Sequence, residues 1–343
     1  MSKSILGGRP VTRRTLLAAG AALPLFSIRT RPASAAEFTY KFATGQDPTH
    51  PVNKRAQEAI DRIREASGGR LEIRLFPSNQ LGSDTDLLTQ IRSGGVEFLN
   101  IAASILATTV PAAGIVNTGF AFKSYDQVWK AMDGELGKYI QEQIQRVGIM
   151  PVSPSWDNGF REITSSTKEI RSPDDLKGFK IRVPAAPILT SLFQALGAGP
   201  TPINFNEVYS ALQTKLVEGQ ENPLPIIATA KLYEVQKFCS ITNHVWDGYW
   251  ILGNRRAFQK LPKDIQEIVT REITRAGVDE RTDIANLSQS LRQELSAKGL
   301  TFIDPEKDAF RDVLRKTSFY KDWRAKFGEQ PWHMLEDVAG TLT

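Results

Sequence analysis

Residues 38–102 read FTYKFATGQDPTHPVNKRAQEAIDRIREASGGRLEIRLFPSNQLGSDTDLLTQIRSGGVEFLNIA. Phe38, Tyr40 and Phe42 alternate with Thr39 and Lys41, the period of a strand. Pro48 and Pro51 mark a loop, after which Ala56, Ala59, Ile60 and Ile63 recur at helical spacing until Ser67-Gly68-Gly69. Leu71, Ile73 and Leu75 predict a second strand, ended by Pro77. A second helix runs from Asp84 through Leu87, Leu88 and Ile91 to Gly94-Gly95, and a short apolar strand follows at Phe98–Ala102. Strand, helix, strand, helix, strand predicts a mainly parallel sheet covered by helices, an α/β fold.

The same alternation returns after residue 150. A strand at Phe179–Val183 ends at Pro184, and a helix over Ile188, Leu192 and Leu196 stops at Gly197-Ala198-Gly199. A strand near Thr201–Asn204, a helix over Val208 and Leu212, and an edge at Leu216-Val217 complete a second α/β unit. From Pro262 an apolar stripe continues through Ile265, Ile268, Val269, Ile273, Ala276, Ile284, Leu287, Leu291 and Leu295 to Gly299. About 36 residues at 1.5 Å each gives a helix of roughly 54 Å, long enough to lie across two lobes as a brace. Gly277 is the one point where it would break, and a lone mid-helix glycine costs only about 1 kcal/mol. There are no internal repeats or low-complexity tracts.

Residues 1–35 read as an export leader rather than as part of the fold. A basic start (Lys3, Arg9, Arg13, Arg14) precedes an apolar stretch from Leu16 to Ile28, then a small-residue cleavage signal at Ala33-Ser34-Ala35. That stretch is about half the roughly 20 residues needed to span a bilayer. Arg13-Arg14 before Leu16-Leu17, with Arg29 and Arg31 before the cut, resembles a twin-arginine leader; an ordinary secretory leader is the alternative. The leader holds six basic residues and no acidic ones, so the remaining 308 residues carry 37 basic against 38 acidic side chains. That near-neutral balance offers no field to draw nucleic acid. Length favours two lobes over one core. Cys239 is alone, which excludes an intramolecular disulfide despite an oxidising compartment, and no cysteine follows the cut to take a lipid anchor. The mature protein is expected to be soluble and free.

Enzyme signatures do not emerge. His50, His244 and His333 are scattered and there are no cysteine pairs to hold a metal. There is no P-loop, no G-x-G-x-x-G and no G-x-S-x-G elbow, so no nucleotide cradle or hydrolase nucleophile is implied, and no cofactor is expected.

Residues 174–224, DDLKGFKIRVPAAPILTSLFQALGAGPTPINFNEVYSALQTKLVEGQENPL, carry a resemblance, continued by LYEVQKF at 232–238 and ITNH at 241–244. With FPSNQLGSDTDLLTQIRSGGVEF at 76–98 and NGFREITSS at 158–166, the chain resembles the solute-binding proteins of tripartite ATP-independent periplasmic (TRAP) transporters, the DctP family. The likeness spans nearly the whole mature chain. It implies a two-lobed periplasmic binding protein with a long bracing helix spanning both lobes. Residues 36–159 plus roughly 247–285 would form one lobe, and 160–246 plus roughly 286–343 the other. It also implies closure on a small organic acid and delivery to a permease of small and large membrane subunits. A periplasmic enzyme acting on such acids, or a sensor partner of a histidine kinase, remains the alternative.

Arg182 leads the candidate residues. It stands at the end of its strand before Pro184, and ligands of open α/β sheets bind at strand carboxyl ends. A guanidinium fork matches a carboxylate in bidentate fashion. The resemblance makes Arg182 the carboxylate clamp, Arg161 its second partner and Phe205 an apolar wall. Asn222, in a turn after a strand, would both donate and accept. Gln46 and His50 follow the first strand, and Trp156, Asp157, Trp246, Asp247 and Tyr249 flank the lobe-crossing segments; some of these should line the cleft. In the sialic-acid-binding branch the positions matching Gly45 and Ala103 are polar. Here they are not, so a smaller or more apolar acid is expected, and Trp246 and Tyr249 lean the same way.

Overall fold

The helices flanking the second strand form where their caps are. The computed structural model describes residues 36–342; the leader region lies outside them. His50 accepts a hydrogen bond from Val52 N–H and Pro51 opens the helix Pro51–Ala66, whose buried face is Val52, Ala56, Ala59, Ile60 and Ile63. A reciprocal Ser83–Asp86 capping box starts the helix Asp84–Ser93, and Gly94, at φ +88°, ends it in the left-handed conformation.

Ten strands form one sheet: β1 Phe38–Ala43, β2 Leu71–Phe76, β3 Phe98–Ala102, β4 Ile149–Pro151, β5 Trp156–Ser165, β6 Lys180–Val183, β7 Gly199–Pro202, β8 Gly219–Asn222, β9 Phe238–Asn254 and β10 Thr301–Ile303. Their order is β2-β1-β3-β9-β5-β8-β6-β7, with β4 and β10 also on β9. The two flanks are parallel, as the alternation predicts, but the centre is antiparallel: β9 runs against β3 and β5, and β5 against β8. Only two strands cross between the flanks. β9, 17 residues or roughly 56 Å long, pairs β3 through residues 249–253 and β5 through 238–249. The β5–β9 register breaks between Asp157 and Gly159 and again between Arg161 and Ile163. Such breaks re-aim side chains, and here they fall beside Asn158 and Arg161.

The predicted edge at Leu216-Val217 is not a strand. Leu216 is exposed, and pairing begins two residues later in β8. Asn222, expected in a turn, is the last residue of that strand, and the strand predicted near Thr201–Asn204 lies at Gly199–Pro202.

The long helix is continuous from Lys263 to Ala297. Its first half buries Ile265, Val269, Ile273 and Ala276 against Ile60, Ile63 and Tyr249. Its far end buries Leu291 and Leu295 against Val208, Leu212 and Cys239, a separate cluster. It therefore braces both flanks. Ion pairs from Arg55 to Asp283, Arg62 to Glu272 and Asp133 to Arg281 fasten it at 2.6–2.8 Å. Gly277 is required where it sits, because a Cβ there would lie 2.5 Å from the Trp156 indole nitrogen. Gly277→Ala is expected to destabilise the protein by about 1–3 kcal/mol through overpacking, despite alanine's better helix propensity. Urea denaturation measures it, and an unchanged or raised midpoint would contradict that packing.

Candidate binding cleft

Strand ends from both flanks converge on one narrow cleft, lined from one flank by Gln46, Asp84 and Asn100 and from the other by Arg182, Phe205 and Asn222. Arg182 lies on β6 one residue from its carboxyl end and is 2 % exposed. Its Nε and Nη2 both donate to the Ile203 carbonyl, at 2.9 and 2.7 Å. This bond locks the fork, and the same 200–205 segment presents half-buried Phe205 to the cleft. Among the described residues Arg182 has no carboxylate partner. Burial pushes its guanidinium down to about 10, with nearby Arg161 adding to the effect while Glu221 and Asp84 oppose it.

Arg161 is placed differently from its expected role. It lines the cleft, yet Nε pairs with Glu221 Oε2, and Nη2 donates to Glu221 Oε1 at 2.8 Å and to the Glu221 carbonyl at 2.7 Å. Nη1 reaches Asp247 Oδ2 at 3.4 Å, and Nη2 also meets Asn222 Oδ1 at 3.2 Å. Arg161 is thus already matched by two carboxylates. Burial would raise Glu221, but the Arg161 charge and the His244 and Arg161 hydrogen bonds hold it down to about 2. Burial keeps His244 below its ordinary value against the pull of Glu221, so it is neutral, with Nε2 3.1 Å from Glu221 and Nδ1 2.8 Å from Thr242.

Of the remaining candidates, Gln46, Asn222 and Tyr249 line the cleft with Arg182, Arg161 and Phe205. The others stand behind the wall. His50 is fully buried, pushed down to about 3 by that burial, and its ring lies edge-on to Tyr249. Asp247 is a support: it accepts from Ser104 Oγ at 2.7 Å and Asn117 Nδ2 at 3.0 Å besides holding Arg161. Trp156 packs on the long helix at Gly277. Trp246 packs edge-on against Phe122 and Trp129, and its Nε1 donates to Asp157 Oδ1 at 2.9 Å. Asp157, whose amide donates to Glu280, is pushed up to about 7 by burial. Trp246 therefore gives no apolar lining, and at the end of β3 it is Ala102 rather than Ala103 that faces the cleft.

Sequence reasoning missed Asp84, Asn100, Ser104, Asn158 and Glu221. Asn100 had a signal, an amide inside the apolar run Phe98–Ala102. Asp84 opens a helix at the mouth of a loop after β2, and its carboxylate sits where a side chain on residue 45 would go: a Cβ on Gly45 would be 2.7 Å from Asp84 Oδ1. Next to it in the chain, Thr85 Oγ1 accepts from Asn204 Nδ2 at 3.3 Å. Glu221 adjoins Asn222, but nothing in the local sequence shows that it would reach Arg161.

A cleft at strand ends, two strands crossing beside it and one helix bracing both flanks define a two-lobed solute-binding protein. The DctP family model, bacterial extracellular solute-binding protein family 7, matches residues 42–323, and the chain belongs to that family. A C4-dicarboxylate-binding periplasmic protein of Rhodobacter capsulatus is 32% identical, over 80% of this chain and 81% of its own. An uncharacterized protein of Sinorhizobium fredii is 34% identical over 75% of this chain, which spans about half (48%) of that relative's length. A TRAP periplasmic solute-binding protein of Ralstonia eutropha, solved with bound (S)-2-acetolactate, is 29% identical at a TM-score of 0.84, covering 88% of this chain and 98% of that one. The Rhodobacter and Ralstonia proteins are named as binding proteins, the second of a TRAP transporter, and the matching family is one of solute-binding proteins rather than enzymes. Among the described residues no helix is long and apolar enough to cross a membrane.

Proposed function

We propose that this protein captures a small organic acid anion in the periplasm and delivers it to a TRAP permease. The observation that carries this reading is Arg182: a buried guanidinium, its fork oriented by the Ile203 carbonyl, with no carboxylate among the described residues in direct ion-pair contact with it. A ligand carboxylate supplies the missing charge through charge-assisted hydrogen bonds in a site largely screened from water. Arg161, held by Glu221, faces the ligand as a hydrogen-bonding surface rather than as a second free cation. Phe205 and Asn222 cover the acid as the lobes close.

The lobes are assigned to 36–159 plus about 247–285, and 160–246 plus about 286–343, with β5 and β9 as the hinge. The register breaks in the β5–β9 pair and the helix packed on both flanks support that division. The last helix, Glu329–Ala339, packs on the helices Tyr125–Met132 and Glu135–Arg146 and is counted with the first lobe instead. Export by a twin-arginine leader cut near Ala35, and docking of the closed form on the small and large permease subunits, complete the reading.

Thermal melts of the mature chain with sodium salts of organic acids test it, since a ligand that binds only the native state raises the melting temperature. At least one acid should stabilise, and its methyl ester should not. If no acid does, or ester and acid act alike, the reading fails.

A further inference from the structure

We infer that the ligand is a monocarboxylate whose chain carries hydroxyl groups, and that Asn100, Asn158 and Tyr249 recognise those hydroxyls. This rests on the reading of Arg182 as the carboxylate clamp and narrows the acids it admits.

The first half of the inference is charge. Among the described residues Arg161 and Arg182 are the two cationic side chains lining the cleft, and Arg161 is already matched by Glu221 and Asp247. That leaves one cation for one carboxylate. A second carboxylate would find no free cation and would meet Asp84, which also lines the cleft. An anionic group brought out of water without a partner, toward a like charge, is costly.

The second half is hydrogen bonding. Buried polar atoms are nearly always paired, so unpaired ones need a reason. Asn100 is 3 % exposed, and neither its Oδ1 nor its Nδ2 has a partner among the described residues. Asn158 Oδ1 and the Tyr249 hydroxyl, each 1 % exposed, are likewise unpaired. All three residues line this cleft. Burial, with Asp247 and Glu280 nearby, holds the Tyr249 hydroxyl well above its ordinary range, so it keeps its proton and can donate. Together with the Asp84 carboxylate the wall offers both acceptors and donors, which suits hydroxyls because each both gives and takes a hydrogen bond. A hydrocarbon chain would leave these atoms unpaired, which is why sites built to bond a hydroxyl reject the analogue lacking it.

Calorimetric titration of the mature protein with matched four- and six-carbon acids tests this. The sets are 2,3,4-trihydroxybutanoate, butanoate and succinate, and gluconate, hexanoate and adipate. In at least one set the hydroxylated monocarboxylate should bind at least about tenfold tighter than both its unsubstituted and its dicarboxylate counterparts. Asn100→Leu, close in volume, should erase most of that preference, weakening the hydroxy acid and binding the unsubstituted acid no more weakly than the parent does. A succinate or adipate affinity equal to or above that of the hydroxy acid overturns the inference, as does an unchanged preference in Asn100→Leu. Those results leave Arg182 as a general carboxylate clamp. Failure of every acid to bind overturns the clamp and the inference together.

Discussion

Arg182→Met is expected to weaken acid binding roughly a hundredfold while leaving the ligand-free protein as stable as the parent or more so. The two halves of that result come from one fact. In the ligand-free protein the guanidinium is buried with a carbonyl and, among the described residues, no carboxylate in ion-pair contact, and burial pushes its pKa down to about 10. Methionine fills much of the same volume and removes the uncompensated charge, and apolar replacements of buried charges are often neutral or stabilising. With ligand the sign reverses. Truncating one partner of a buried, hydrogen-bonded charge pair costs about 3 kcal/mol, roughly two orders of magnitude in Kd. Arg182→Lys should fall between, since it keeps the charge but loses the planar fork. Calorimetry for affinity and thermal melts with and without ligand read both halves. Binding by Arg182→Met within about threefold of the parent would remove Arg182 from the site.

The same residue shows how far the sequence could be read. The outer strands and the helices between them were legible because each is a local pattern: period two, period 3.6, then glycine or proline. The long helix was legible too, and its one doubtful point, Gly277, is explained only by Trp156, 121 positions away in the chain. The crossing strands were not legible. β5 and β9 are buried almost throughout, so they lack the alternation that marks a half-exposed strand, and their pairing joins residues 73 to 93 positions apart. The antiparallel centre of a sheet expected to be mainly parallel follows from them.

The site divides on the same line. Arg182 and Phe205 belong to strand-end segments whose place can be inferred from the neighbouring motif, and the structure brings both to the cleft. Arg161 was found, but its charge state in the site could not be, because that depends on Glu221 and Asp247 at separations of 60 and 86 residues. Aromatic residues near the crossing strands looked like a ligand wall. Trp156 and Trp246 are instead the packing that holds β5 and β9 to the long helix and to Phe122 and Trp129. A polar residue inside an apolar run, as at Asn100, was the better indicator of the cleft, since a buried amide without a structural partner has little other reason to be there.

Glu221→Gln is expected to be the most destabilising single substitution near the cleft, by about 3–5 kcal/mol at neutral pH, because it strips the main counter-charge from a guanidinium that is itself buried. Asp247, at 3.4 Å from one Nη, cannot replace a carboxylate that meets both Nε and Nη2. The loss should depend on pH in a defined direction. Glu221 titrates near 4.5 when unfolded and near 2 in the fold, so its contribution is fully present above about 4.5 and is lost as pH falls toward 2. The stability difference between parent and Glu221→Gln should therefore be constant from neutral pH down to about 5 and shrink below 4.5. Urea denaturation at a series of pH values measures that difference directly, and other titrating groups largely cancel in it. A gap that stayed constant to pH 3 would mean that Glu221 is not the group neutralising Arg161. Arg161 would then be a second free cation, the cleft would have room for two carboxylates, and the preference for a hydroxylated monocarboxylate would lose its electrostatic basis.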